Sequence, residues 1–311
     1  MSTDEFDREP EQAALPLLPA EDKAALIPEA ALLPIEEPKP PRLLPHLAHT
    51  IVLLLIGFGS LIATAIGFGI FFALRSGSKL SLAAISDKPI LIVEFEITIY
   101  LVALMIAWPL FSLWWRRGFL DGVYWNFTRI RSVWPLLLLM SVALSLLVEL
   151  ISNYLPMPKD LPMDEFFKSP STLWVVAIFG TFLAPFVEEL FFRGFLLPSL
   201  ANAWEWCSVK MIHSVPCSVD AAGHPRWSVA AMVFATIFAS IGFAAMHADQ
   251  LNSALAPLAV LFGVSVLLSL VRLHFRSLAA SVLVHSGYNG TLFVITFFAT
   301  DGFQHLDKIK G

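Results

Sequence analysis

Long apolar stretches dominate this 311-residue chain and restrict what it can fold into. A helix of about 20 apolar residues crosses the core of a bilayer, and seven stretches reach or approach that length. They cover residues 50–74, 92–115, 133–155, 172–203, 228–247, 255–272 and 277–300. Charged residues make up 14% of the chain, against about 25% in soluble globular proteins. The sequence therefore predicts an all-α polytopic integral membrane protein, a helix bundle with seven transmembrane spans, and excludes an ordinary soluble enzyme.

The net charge lies in the amino-terminal segment. The overall charge of −5 is the sum of −6 in residues 1–48 and +1 in the remainder. Residues 1–48 also hold nine of the 21 prolines and sustain no apolar face, which predicts a disordered, acidic, proline-rich tail. A nearly neutral body lacks the clustered basic field that nucleic acid requires, so we expect no nucleic-acid partner.

The distribution of Lys and Arg near the span ends indicates the orientation. The side that carries the tail has ten such residues and the opposite side has seven, and the loop at 116–131 contributes four arginines to the excess. Because positive charge is enriched on the cytoplasmic side, we expect a cytoplasmic amino terminus and an outer carboxyl end. The expected location is a bacterial-type cell membrane.

Two regions depart from a simple row of spans. Glu94 and Glu96 interrupt the start of the second apolar stretch, so its helix is expected to begin near Ile97. A polar insertion at 204–227 joins the fourth and fifth spans and contains the cysteines Cys207 and Cys217, together with two histidines. Their spacing is unlike that of common tetrahedral zinc sites, so the sequence favours two free thiols.

Ionisable groups within spans are the candidates for function, because each charge costs about 2.5 to 3.5 kcal/mol to insert and usually faces a cavity. The fourth, fifth and seventh spans carry such groups, and the seventh also carries a side-chain amide. They are Glu188, Glu189, Arg193, His247, His285 and Asn289.

Helical spacing separates the roles of the residues in the fourth span. Glu189 and Arg193 are four residues apart with the acid first, which favours an ion pair on one face. Glu188 points about 100° away from Glu189, so its carboxylate is left to act as a general base. Pro185 removes a backbone hydrogen bond close to Glu188 and predicts a kinked or widened helix there.

The remaining polar residues suggest how a site is completed. His285 and Asn289 are one turn apart and present two hydrogen-bond donors from one face, an arrangement suited to a developing oxyanion. His247 is placed to orient Glu188 or to share a water molecule with it. Counted along their spans at about 1.5 Å per residue, however, His247 and His285 differ in depth by about 16 Å.

These motifs, Glu188-Glu189-x-x-x-Arg193, then Phe243-x-x-x-His247, then His285-x-x-x-Asn289 on successive helices, resemble those of the CAAX-protease and bacteriocin-processing family of intramembrane glutamic endopeptidases. The resemblance implies that Glu188 and His247 activate a water molecule and that His285 and Asn289 stabilise the oxyanion. Glu189 and Arg193 then support the site. It also implies peptide-bond hydrolysis without a cofactor or metal, on membrane-associated peptides or proteins, either lipidated CAAX-type or signalling and bacteriocin-type.

With this resemblance the chain divides into four regions. They are the tail at 1–48, a three-span scaffold at 49–171, a catalytic region at 172–303 with the insertion at 204–227, and a short carboxyl-terminal tail at 304–311. Three other functions remain open: a zinc metalloprotease, although no His-Glu-x-x-His motif occurs, a non-catalytic membrane scaffold, and a proton-coupled transporter. The expected partners are the lipid bilayer and the substrate, and the sequence does not indicate an oligomeric state.

Overall fold

The computed structural model describes residues 43–76, 88–156, 158, 161–220 and 224–306. The predicted disordered tail lies outside these residues up to residue 42, as does the carboxyl-terminal tail from residue 307. Seven helices in the described part are long and apolar enough to cross a membrane, which confirms the predicted all-α fold and span count. They are α1 (Leu47–Ser76), α2 (Pro89–Trp115), α3 (Phe127–Ser152), α4 (Pro170–Ile212), α5 (Val229–Met246), α6 (Leu255–Phe275) and α7 (Leu278–Ala299).

Short elements connect the long helices. A one-turn helix, Phe119–Gly122, lies between α2 and α3, and a 3₁₀ helix, Pro162–Lys168, precedes α4. Between α4 and α5 the chain forms an antiparallel hairpin of β1 (Ser218–Val219) and β2 (Pro225–Arg226).

The start of α2 differs from the sequence expectation. The helix begins at Pro89, so Glu94 and Glu96 both lie within it, and the predicted start near Ile97 is wrong. Proline suits the first turn of a helix, where its missing N–H leaves no intrahelical bond unmade. Tyr100, one turn after Glu96, donates its hydroxyl to the Glu96 carboxylate at 3.0 Å, which accommodates this acid within the helix.

The polar insertion is shorter than the range 204–227, because α4 continues as a helix to Ile212. Two buried polar side chains near this end of α4 bind the connection to α5. Glu205 accepts from the backbone N–H of Ser228 at 2.6 Å, and Asn202 accepts from the indole N–H of Trp227 at 2.7 Å. These bonds fix the end of α4 against the beginning of α5.

Helix α7 lies in the interior of the bundle and packs against α3, α4 and α6. Gly287 permits a close approach to α3, because a Cβ atom there would lie 2.5 Å from the hydroxyl oxygen of Ser141. One turn further along α3, Ser145 donates to the carbonyl of Tyr288 at 2.9 Å. The helix also begins inside the protein: Leu278 is fully buried and donates its N–H to the carbonyl of Tyr124 at 3.0 Å.

Candidate active site

The two neighbouring glutamates lie on a short α-helical part of α4 between two wider segments. This part is Ala184–Glu189, and the π-helical segments Phe179–Leu183 and Leu190–Leu196 flank it. Such π-helical turns are frequent at functional sites, because they rotate the following side chains relative to a regular α-helix. The widening predicted from Pro185 is therefore present in α4.

Pro185 explains a bond between α4 and α7. In the first π-helical segment the N–H of Ala184 bonds to the carbonyl of Phe179, five residues earlier. The next bond in this register needs an N–H at position 185, which proline lacks. The carbonyl of Gly180 instead accepts from the side-chain amide of Asn289 at 2.7 Å. One candidate oxyanion donor thus also satisfies the backbone of α4.

Glu189 and Arg193 form a fully buried ion pair with 2.8 Å between Oε1 and Nη1. The guanidinium is bound on its other sides by α6, where Nη2 donates to the carbonyl and hydroxyl of Ser265, both at 2.7 Å, and Nε to Ser269 at 3.4 Å. The ring of Phe243 lies 4.9 Å from the guanidinium carbon. Buried charges require such partners, and this set holds Arg193 and Glu189 in fixed positions.

His285 lies between the two carboxylates. Its Nδ1 is 3.0 Å from Oε1 of Glu189, and its Nε2 is 3.8 Å from Oε2 of Glu188. The side chain of Glu188 is 12% exposed whereas that of Glu189 is 0% exposed, so only Glu188 is reached from outside the protein. The carboxylate that does not bind Arg193 is therefore the accessible one.

His247 caps the end of α5 with its ring beside Phe243. Its Nδ1 lies 2.9 Å from the carbonyl oxygen of Phe243. Because a carbonyl only accepts, this bond assigns the hydrogen of the neutral imidazole to Nδ1 and leaves the lone pair on Nε2. The ring of Phe243 is 4.8 Å from that of His247 and 5.8 Å from that of His285. Both imidazoles line one cavity, so the difference in depth counted along the spans does not separate them.

Polar side chains from α4, from α7 and from the end of α5 line one cavity of about 300 Å³. It brings together four residues expected to act in catalysis, which are Glu188, His247, His285 and Asn289. Glu96 of α2 also lines it, a residue that the sequence analysis assigned to the edge of a span. In the sequence an acid one turn before Tyr100 in an apolar helix marks this residue as unusual, but it does not indicate which other helices it meets. Helix α2 thus contributes to the site and is more than scaffold.

The cavity lies towards the side of the membrane opposite the beginning of α1. Met163 and Phe166, in the connection between α3 and α4, and Gln250 and Leu251, in the connection between α5 and α6, all line it. Both connections follow helices that run away from the side on which α1 begins. The site therefore lies on the face of the protein opposite to the one on which α1 begins.

A second cavity, of about 460 Å³, reaches Glu188 from within the membrane. It lies between α1, α2 and α4 and is almost entirely apolar, with walls that include Leu54, Leu104 and Phe191. Glu188 thus borders both a polar cavity and an apolar one.

A bundle of membrane-spanning helices around a cavity with buried carboxylates and imidazoles defines a polytopic membrane protein with an enzyme-like site. Residues 170–291 match the family of Rce1-like proteins, type II CAAX prenyl endopeptidases. This match is consistent with the CAAX-protease and bacteriocin-processing family and confirms the resemblance seen in the motifs. It extends from the start of α4 through Asn289 and indicates a membrane protease. No curated protein and no solved structure gives a significant match.

Proposed function

We propose that the protein is an intramembrane endopeptidase in which Glu188 activates the attacking water. The supporting observation is that the two adjacent glutamates differ in burial and in their partners. Glu189 is fully buried and bound to Arg193, whereas Glu188 reaches the cavity that His247 and His285 also line. A carboxylate with access to water beside imidazole groups is suited to general-base catalysis.

In the proposed reaction Glu188 takes a proton from a water molecule as the water oxygen attacks the peptide carbonyl carbon. The unprotonated Nε2 of His247 is available to accept a second hydrogen bond from that water. Collapse of the tetrahedral intermediate breaks the C–N bond, and the proton held by Glu188 passes to the leaving amine. The reaction needs no covalent intermediate with the enzyme.

The oxyanion of the intermediate is assigned to Asn289 and to Nε2 of His285. This nitrogen donates when the ring carries hydrogens on both nitrogens, because Nδ1 is already bonded to Glu189 at 3.0 Å. Each side chain lines the cavity, and the two are one turn apart on α7. One hydrogen of the Asn289 amide is used by the carbonyl of Gly180, and an amide carries two. The second hydrogen serves the oxyanion in this proposal, so the bond to Gly180 fixes the orientation of the donor.

The apolar cavity supports a substrate that is anchored in the membrane. It adjoins Glu188 and is walled by α1, α2 and α4, so an apolar chain held there places an attached peptide beside the carboxylate. The name of the matching family refers to CAAX prenyl proteins, and a prenyl chain has the required chemistry. A membrane-anchored signalling or bacteriocin-type peptide is the other substrate class.

Orientation separates these two substrate classes. The catalytic cavity and the beginning of α1 lie on opposite faces, so a cytoplasmic start of α1 places the cavity towards the outer surface of the membrane. We adopt the cytoplasmic tail that the excess of arginine predicts, and therefore propose membrane-anchored peptides at the outer surface as substrates. A cytoplasmic CAAX-type protein requires the reverse orientation.

The decisive experiment is cleavage of a library of membrane-tethered peptides by the purified protein in lipid. We expect cleavage by the wild type, a large loss of cleavage in Glu188→Gln and His247→Ala, and unchanged cleavage by the control Glu94→Gln, because Glu94 lies exposed on α2. Full activity in Glu188→Gln would contradict the glutamic mechanism. Activity that a chelator removes and zinc restores would favour a metalloprotease.

A further inference from the structure

A basic pocket of about 270 Å³ lies on the side of the protein where α1 begins, away from the catalytic cavity. It is formed where the end of α6 meets the β1–β2 hairpin and the loop before α3. The side chains used in the argument are Tyr124, His224, Arg226, Trp227, Arg272 and Arg276. None of the residues lining this pocket lines the catalytic cavity.

Arg272 is the buried charge at the base of the basic pocket. It is 3% exposed, and its Nε has no hydrogen-bond partner among the described residues. Its guanidinium carbon lies 5.6 Å from the ring of Tyr124, a contact that attracts a cation without neutralising it. An unpaired buried charge is strongly unfavourable, which points to a missing anionic partner.

Arg193 of α4 is a second buried guanidinium that contacts α6, and it has hydrogen-bond and ion-pair partners. It binds Glu189 and two serines of α6. Arg272 lies further along α6 and has no equivalent carboxylate in the described part of the chain. The contrast indicates that the anion for Arg272 comes from outside the described residues.

The other charges around the basic pocket are predominantly positive. Arg226 and Arg276 are exposed at its mouth. The acid among these neighbours is Asp220, which pairs with Arg276 at 2.9 Å and lies 3.4 Å from Nδ1 of His224. The lining therefore keeps an excess of positive charge after this pairing, and Arg226 and Arg272 supply it.

We propose that the basic pocket binds a phosphate group, carried either by a phospholipid headgroup or by a soluble phosphate compound. Guanidinium groups match phosphate oxygens with paired, charge-assisted hydrogen bonds. The pocket lies at the end of a membrane-spanning helix, the position in which basic pockets receive lipid headgroups. Trp227 and Tyr124 line it, and both residue types are common at this depth of a bilayer.

Thermal unfolding of the full-length protein in neutral detergent tests this proposal. The ligands are inorganic phosphate, dihexanoyl phosphatidylglycerol and dihexanoyl phosphatidylcholine, each titrated at constant ionic strength. We expect a concentration-dependent rise in Tm, because a ligand that binds only the native state stabilises it. A response to inorganic phosphate identifies a soluble phosphate compound, and a response to phosphatidylglycerol alone identifies a lipid headgroup. If none of the three raises Tm, the proposal is wrong.

Arg272→Met provides the informative variant, because it removes the buried charge and keeps an apolar side chain. We expect it to unfold at or above the Tm of the ligand-free wild type and to lose the response to ligand. A purely structural role for Arg272 predicts the opposite result, a lower Tm. Arg226→Gln, at an exposed position, is expected to weaken binding about tenfold. Arg129→Gln, an exposed arginine at the start of α3, is the matched control, and a response in every variant equal to that of the wild type would overturn the proposal.

Discussion

The side-chain amide of Asn289 donates to the backbone carbonyl of Gly180 at 2.7 Å. The bond connects α7 to the π-helical segment of α4 and takes the place of one that Pro185 cannot make. The position of Glu188 therefore depends on Pro185, which widens the helix, and on the Asn289 amide, which binds the carbonyl that the widened backbone leaves without a donor. Asn289 has a structural role in addition to the catalytic role proposed for it.

These two roles of Asn289 can be separated with Pro185. Asn289→Ala is expected to lower the free energy of unfolding by about 1 to 3 kcal/mol, because it leaves the Gly180 carbonyl without its donor. In the Pro185→Ala background a backbone N–H is restored, so the same substitution is expected to cost less than about 1 kcal/mol. Unfolding of the four proteins in a double-mutant cycle measures the difference.

Cleavage by the same four proteins isolates the catalytic role of Asn289. Loss of an oxyanion donor is expected to lower kcat by about 10²- to 10³-fold, and this loss persists in the Pro185→Ala background. Recovery of both stability and activity in the double variant would show that Asn289 acts only on the backbone.

The adjacent glutamates are expected to respond in opposite ways to the same substitution. Glu188→Gln lowers kcat by about 10²- to 10⁴-fold, the range for a general base, and leaves the unfolding temperature nearly unchanged. Glu189→Gln lowers the free energy of unfolding by about 3 to 5 kcal/mol, because it leaves Arg193 buried without its partner. Parallel measurements of cleavage and unfolding check both outcomes. A larger loss of stability in Glu188→Gln than in Glu189→Gln would contradict the assignment.

Much of the fold could be predicted from the sequence, because apolar length alone determines which helices cross a membrane. The sequence also predicts the pair of Glu189 and Arg193, since four-residue spacing is a property of one helix. Contacts between helices are different, because they depend on how the helices pack. No pattern in the sequence places Glu96 beside the catalytic cavity or connects Asn289 to Gly180.

Helix boundaries were predicted least well where polar side chains form hydrogen bonds with residues of another helix or connection. Residues 204–212 resemble a polar loop, yet they are helical, and Glu205 within them binds the start of the next helix. The burial of Arg272 is likewise invisible in the sequence, where it contributes only to the count of positive charges at a span end.

Gly287 is expected to be needed for the approach of α7 to α3. Gly287→Ala places a methyl group 2.5 Å from the hydroxyl of Ser141 and is expected to lower the free energy of unfolding by about 1 to 3 kcal/mol. Because Gly287 lies between His285 and Asn289, cleavage falls as well. Adding Ser141→Gly removes the colliding atoms and is expected to restore stability in part. The control is Gly263→Ala on α6, where a Cβ atom has no neighbour within 4 Å and helix propensity predicts a gain of up to about 1 kcal/mol.

The orientation of the protein is expected to be visible in the labelling of cysteines. Cys207 lies exposed near the end of α4, on the side where α1 begins, and Cys217 lies in the connection that follows. With a cytoplasmic tail, an impermeant thiol reagent labels neither in intact cells and labels both after the membrane is opened. Burial, and to a lesser extent the charge of Glu205, raises the pKa of the Cys217 thiol, so its labelling requires a higher pH than that of an ordinary thiol.

The opposite face is tested with Ser171→Cys in a protein that carries Cys207→Ser and Cys217→Ser. Ser171 is exposed at the start of α4, on the side of the catalytic cavity. We expect the impermeant reagent to label this cysteine in intact cells, which places the cavity at the outer surface together with its peptide substrate. In intact cells, labelling of Cys207 in the wild type and no labelling of the new cysteine in the variant would reverse the orientation. The cavity would then face the cytoplasm, where a CAAX-type protein becomes the substrate that the geometry favours.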